Sequence, residues 1–156
     1  MCIRDSMNTI TAWLMKQYGP QSVITLARHM GVKSPMDPVP SLCLGVADLT
    51  LEEMVGAFST FANDGVYIRP VVFTRIEDKS GNTIFDMTPK TEEALDPRTS
   101  YIMLEMLKGV VDGAYNPSTG KTVGTGMRLR MGWGNRAKYA NIKYPTAGKT
   151  GTTQNN

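Results

Sequence analysis

A chain of 156 residues, 41% hydrophobic and 20% charged, has the composition of one soluble globular unit or part of one, not of a disordered or membrane-spanning segment. Its 17 basic and 14 acidic side chains are interspersed, and the net charge of +3 forms no basic stripe that would point to nucleic acid or anionic lipid. Cys2 and Cys43 are too few for a disulfide framework and lack zinc-type spacing, and no apolar run reaches roughly 18 residues, so no metal, cofactor or bilayer span is expected.

Met1-Cys2-Ile3-Arg4-Asp5 joins a helical pattern without cap or turn logic and resembles translated sequencing-adaptor sequence, so residues 1–5 are expected to be a non-native scar with Ser6 at its edge. Ile10, Trp13 and Leu14 then recur at helical spacing up to Tyr18. Gly19-Pro20 ends that helix and opens a second, whose apolar face is Val23, Ile24, Ala27 and Met30 and whose stop is Gly31. The lone histidine, His29, falls near this helix end and reads as a surface residue rather than a ligand or base. Pro35, Pro38 and Pro40 bar a regular helix over residues 32–47 and predict an ordered loop.

Thr50-Leu51-Glu52-Glu53 has capping-box spacing and starts a helix whose stripe Leu51, Met54, Val55, Phe58, Phe61 and Ala62 should be buried, with Asn63-Asp64-Gly65 closing it. Val71 to Ile76 and Thr83-Ile84-Phe85 are β-branched and aromatic, and the turn chemistry of Asp78-Lys79-Ser80-Gly81-Asn82 between them predicts a small hairpin. Asp96-Pro97 starts a further helix, in which Tyr101, Ile102, Leu104, Met106, Leu107 and Val110 form a broad surface expected to be largely buried. Residues 113–141 are glycine-rich and loop-like, and Tyr144 to Thr153 reads as an extended segment of small residues.

Two strings carry chemistry. Lys149-Thr150-Gly151-Thr152 matches the K-T-G signature of a strand that edges an active-site cleft, and alternation along a strand would put Lys149 and Gly151 on one face and the two threonines on the other. Ser6-Met7-Asn8, just ahead of the first helix, matches S-x-N, although serine and asparagine there also suit a helix cap. Ser118-Thr119-Gly120-Lys121 has the S-x-x-K spacing of a nucleophile and its lysine, but it sits in a Pro/Gly loop and follows S-x-N, so it reads as a decoy. Gly120-Lys121-Thr122 and Gly148-Lys149-Thr150 resemble the tail of a phosphate loop. The first glycine such a loop requires is replaced by Tyr115 and Lys143, so nucleotide binding is not expected.

The longer string Ala147 to Asn155, with Thr50 to Tyr67 upstream, resembles the transpeptidase domain of penicillin-binding proteins of the bifunctional peptidoglycan synthase type. The resemblance implies an α/β fold of the serine β-lactamase and penicillin-binding kind, an antiparallel sheet flanked by helices. Residues 6–156 would be a partial domain: helices over 6–63, a small hairpin over 66–86, a helix over 96–112, a loop over 113–143 and the active-site strand over 144–153.

It further implies that Ser6 relays protons near the nucleophile, Asn8 holds the substrate's peptide group and Lys149 supplies positive potential. Thr150 and Thr152 would seat the substrate's terminal carboxylate, Gly151 would leave room for substrate backbone, and the Thr152 amide would serve the oxyanion hole. The parent would be a D,D-transpeptidase of the extracytoplasmic face of the bacterial inner membrane, acting on stem peptides ending in D-Ala-D-Ala and acylated by β-lactams. The nucleophile is then expected upstream of residue 1, the membrane anchor likewise, and the isolated chain is expected to be inactive. A carboxypeptidase, a serine β-lactamase-like hydrolase and a non-catalytic penicillin-binding sensor share these motifs and stay open as alternatives.

Overall fold

The computed structural model describes residues 3–131 and 142–151. They fall into two compact units, one of Tyr18–Tyr101 and the other of Met1–Gln17 with Ile102–Asn156. The helices, in chain order, are α1 (Asn8–Tyr18), α2 (Pro20–His29), α3 (Leu51–Ala62), α4 (Pro97–Asp112) and the short α5 (Arg128–Met131), with one 3-10 turn at Pro40–Leu44. No helix among the described residues is long and apolar enough to cross a membrane.

All of the described β structure is antiparallel and two-stranded. β1 (Val66–Ile68) pairs with β4 (Thr91–Glu93), and inside that connection β2 (Arg75–Glu77) pairs with β3 (Thr83–Asp86) in the register Ile76 to Phe85. The hairpin closes at the turn read from sequence but is narrower than 66–86: Val66–Ile68 pairs with Thr91–Glu93 instead, a ladder not expected, and Val71, Val72 and Phe73 precede β2 in a bend with Val72 fully solvent-exposed. Asp78 Oδ1 accepts from the amides of Ser80 and Asn82, each at 2.8 Å, which closes its turn. A third ladder was not expected: β5 (Ala114–Asn116) and β6 (Lys121–Val123) form a hairpin inside the stretch read as loop.

The unit Tyr18–Tyr101 is organised by local caps. The Thr50 hydroxyl accepts from the Glu53 amide at 3.2 Å, and the Glu53 carboxylate reaches back to the Thr50 amide at 3.0 Å, so the capping box forms. Glu53 does more than cap. It also accepts from the amides of Lys33 and Ser34, at 2.7 and 2.8 Å, and from the Ser34 hydroxyl at 2.6 Å, tying the segment after α2 to the first turn of α3. These donors, Ser34 foremost, hold its carboxyl far below the ordinary glutamate range.

The buried side of α3 differs from the expectation. Leu51 is 80% exposed and Val55 53%, while Gly56 and Thr60 are buried. The stripe read from spacing is apolar, but the face turned inward is the small-residue one, which lets the Tyr67 ring and Pro70 lie close over Gly56. The Thr60 hydroxyl donates to the Gly56 carbonyl at 3.1 Å, and the buried Ser100 hydroxyl donates to the Phe61 carbonyl at 3.0 Å. On α4, Leu107 and Val110 are buried as expected, with Val111, but Tyr101 and Ile102 are 61% and 57% exposed. Asp96 caps α4 through the Arg98 amide at 2.9 Å.

Two outcomes test this account. Gly31 stops α2 at φ +86°, and a Cβ there would lie 2.1 Å from the Tyr67 ring, so Gly31→Ala should destabilise by about 1–3 kcal/mol, read as a lower thermal unfolding midpoint. Because folding depresses the Glu53 pKa, its contribution is complete above the ordinary glutamate range and disappears as the pH falls below that range. Glu53→Gln should therefore melt lower than the wild type at neutral pH, with the difference shrinking in acid; a gap that widened on acidification would contradict the assignment.

Candidate active site

α4 provides the platform for the second unit. Met15, Leu107, Val110 and Val111 are its buried apolar side chains, and two loops dock on main-chain oxygens near the end of α4. The Gly126 amide donates to the Val110 carbonyl at 2.8 Å, and the Gly148 amide to the Leu107 carbonyl at 3.2 Å. Gly124-Thr125-Gly126 can approach this closely because both flanking residues lack a Cβ: one at Gly124 would stand 2.8 Å from the Val110 oxygen, and one at Gly126 3.1 Å. The threonine between them is free to project its side chain elsewhere.

Residues 144–151, expected as the active-site strand, carry no ladder partner among the described residues. The segment is held by the Gly148 amide and by Arg130, whose guanidinium donates to the Tyr144 carbonyl at 2.7 Å, rather than by sheet pairing. The side chains of Lys149 and Thr150 nevertheless diverge as alternation requires. Lys149 Nζ donates to Ser6 Oγ at 2.9 Å and to the Thr150 carbonyl at 2.8 Å, while Thr150 Oγ1 donates to Thr125 Oγ1 at 2.8 Å.

The first contact joins residues 143 apart and unites the two strings picked out from sequence. Ser6 has φ +54°, a left-handed conformation that costs a serine about 1 kcal/mol or more and is held here by the surrounding contacts. The Met7 carbonyl accepts the first helical amide, from Thr11 at 3.2 Å, so Met7 occupies the cap position of α1. Ser6 precedes the cap and Asn8 is the first helical residue, exposed, so neither serves as the cap that their composition allowed.

Thr125 Oγ1 donates to the Arg4 carbonyl at 3.3 Å and its amide donates to the same oxygen at 3.2 Å. Arg4 in turn makes a two-point ion pair with Asp5, at 2.5 and 2.6 Å, which holds the Asp5 carboxyl below its ordinary range. Asp5, Asn116, Thr122, Gly124, Thr125 and Met127 border an open cleft of about 560 Å³. Gly151 is exposed with open space where a Cβ would be, and Thr152 lies outside the described residues.

The structure thus joins Ser6 and the Thr150 main-chain carbonyl through Lys149 Nζ, and Asn8 follows Ser6 by two residues. Thr125 was not anticipated. The signal that could have found it is its position between two glycines whose only evident demand is close backbone approach. Ser118 lies within the turn joining β5 and β6, where its amide donates to Asn116 Oδ1 at 3.0 Å, and Lys121 is the first residue of β6. Four residues across a β-turn do not give the one-turn helical spacing that a serine and its lysine need. Lys121-Thr122 belongs to β6 and Lys149-Thr150 to an extended segment, so neither Gly-Lys-Thr string opens a helix as a phosphate loop must.

The chain is 32% identical over 152 residues to Penicillin-binding protein 1B of Escherichia coli, covering 97% of this chain and 16% of that protein. Among solved structures, the D,D-transpeptidase domain of a peptidoglycan glycosyltransferase from Eggerthella lenta superposes with a TM-score of 0.70 at 21% identity, over 97% of this chain and 40% of that one. Penicillin binding protein 3 of Mycobacterium tuberculosis, complexed with aztreonam, does so with a TM-score of 0.65 at 25% identity, over 80% of this chain and 32% of that one. The chain spans about one sixth of the length of the curated relatives it matches. These likenesses give it the penicillin-binding transpeptidase fold, helices with small antiparallel sheets. The family model for the penicillin binding protein transpeptidase domain matches residues 40–156, more than half of its length, and the chain belongs to that family.

Proposed function

We propose that this chain forms one wall of the active site of a D,D-transpeptidase that cross-links peptidoglycan stem peptides, in a protein of the type that also carries a glycosyltransferase domain. The observation that carries the reading is the 2.9 Å hydrogen bond from Lys149 Nζ to Ser6 Oγ, which joins the K-T-G and S-x-N strings. In the reaction a serine oxygen attacks the carbonyl of the penultimate D-alanine, the terminal D-alanine departs with a proton on its nitrogen, and an amine of a second stem peptide then displaces the serine. Each half-reaction moves one proton between oxygen and nitrogen. Ser6, accepting from Lys149, has its own hydroxyl proton available for that relay.

Lys149 lends the site positive potential, which favours both the relay and an anionic substrate terminus. Asn8, exposed on the first turn of α1, would hold the substrate's peptide group. Thr150 and Thr152 seat the terminal carboxylate, the Thr152 amide contributes to the oxyanion hole, and Gly151 leaves the substrate backbone room. A β-lactam, which carries both a strained amide and a carboxylate, would acylate the same serine. That serine is supplied by the longer protein, which acts at the extracytoplasmic face of the bacterial inner membrane. This chain alone is then catalytically silent.

A labelled penicillin checks the proposal. The longer protein should form a covalent adduct, and Ser6→Ala or Lys149→Ala should slow its formation by about 100-fold or more. Ser118→Ala should leave it unchanged, and this chain alone should form none. Labelling of the isolated chain, or loss of labelling in Ser118→Ala, would overturn the assignment.

A further inference from the structure

We infer that Thr125 is a positioning residue of this site, an exchangeable hydroxyl partner that lets Thr150 turn its proton towards a substrate carboxylate. The inference rests on the transpeptidase reading above. Its basis is a chain of hydrogen-bonding groups: Thr150 Oγ1 lies 2.8 Å from Thr125 Oγ1, and Thr125 Oγ1 lies 3.3 Å from the Arg4 carbonyl, which can only accept. Each hydroxyl has one proton and two lone pairs. While Thr125 gives its proton to the Arg4 carbonyl, Thr150 must give its own to Thr125, and its oxygen then offers an incoming group only lone pairs. A carboxylate is itself an acceptor only, and it would be repelled.

Two torsions resolve the conflict without moving a heavy atom. Thr150 turns its O–H to the carboxylate, and Thr125 turns its O–H from the Arg4 carbonyl onto the Thr150 oxygen. The Arg4 carbonyl is not orphaned, because the Thr125 amide still donates to it at 3.2 Å. Thr150 then both accepts and donates, and the two bonds polarise each other in the direction that strengthens its donation to the anion. The flanking glycines make this possible by pinning residues 124 and 126 on the end of α4, which leaves Thr125 in a defined place beside the cleft. A valine has the shape of threonine but would present a methyl group to Thr150, whereas a serine keeps the hydroxyl.

The test is the concentration dependence of acylation of the longer protein by a labelled penicillin. Thr125→Val should lower the second-order acylation constant roughly five- to tenfold, mainly through a higher half-saturating concentration, and Thr125→Ser should stay within about twofold of the wild type. Thr125→Ala adds no methyl against Thr150 and carries the same expectation should the valine variant fold poorly. In a Thr150→Val background, Thr125→Val should cost nothing further, and a penicillin whose carboxylate is esterified should not sense Thr125 at all. If Thr125→Val acylates like the wild type, if the two substitutions multiply, or if serine fails to rescue, the role of Thr125 is refuted while the transpeptidase reading stands. If the wild type itself is not acylated, both fall.

Discussion

Two main-chain oxygens near the end of α4 decide where the polar groups of the site stand. The Val110 carbonyl takes the Gly126 amide and the Leu107 carbonyl takes the Gly148 amide, so the segments bearing Thr125 and Lys149-Thr150 are both referred to one rigid element. Side chains alone could not do this. A lysine or threonine on an otherwise unsupported loop would spread over several rotamers and lose rotamer entropy on binding, whereas a backbone anchored to a helix with buried Leu107, Val110 and Val111 has already made that loss during folding. The hydrogen bonds from Lys149 to Ser6 and from Thr150 to Thr125 follow from these two anchors.

Features set by neighbours in sequence were legible before any coordinates. The capping box at Thr50 and Glu53, the Asp96-Pro97 start of α4 and the glycine stop at Gly31 each rest on a few consecutive residues and a fixed backbone geometry. The family could be read for the same reason, since K-T-G and S-x-N are short strings with fixed spacing. The distance between those strings was another matter. Nothing local in Ser6 or Lys149 encodes that they meet; that depends on how α4 docks the loop at Gly148.

Burial was the weaker part of the reading, and α3 shows why. Apolar residues at helical spacing identify a face that gains from being covered, yet Leu51 and Val55 stay exposed while Thr60 and Gly56, the latter against the Tyr67 ring, are enclosed. Small residues give a weak hydrophobic signal and a strong packing one, because they allow close approach. The same blindness hid Gly124-Thr125-Gly126 and the hairpin of β5 and β6, where glycine and turn chemistry were read as irregular loop. Glu53 shows the converse: its cap was read, but the further bonds to residues 33 and 34 belong to tertiary structure.

The acceptor that terminates the threonine chain is a peptide oxygen of residue 4, which every amino acid possesses. The identity of that residue is therefore invisible to the contact, and only the path of the polypeptide matters. The letter at that position could change while leaving this contact intact. Substitution patterns among related genes would then understate how much this stretch contributes.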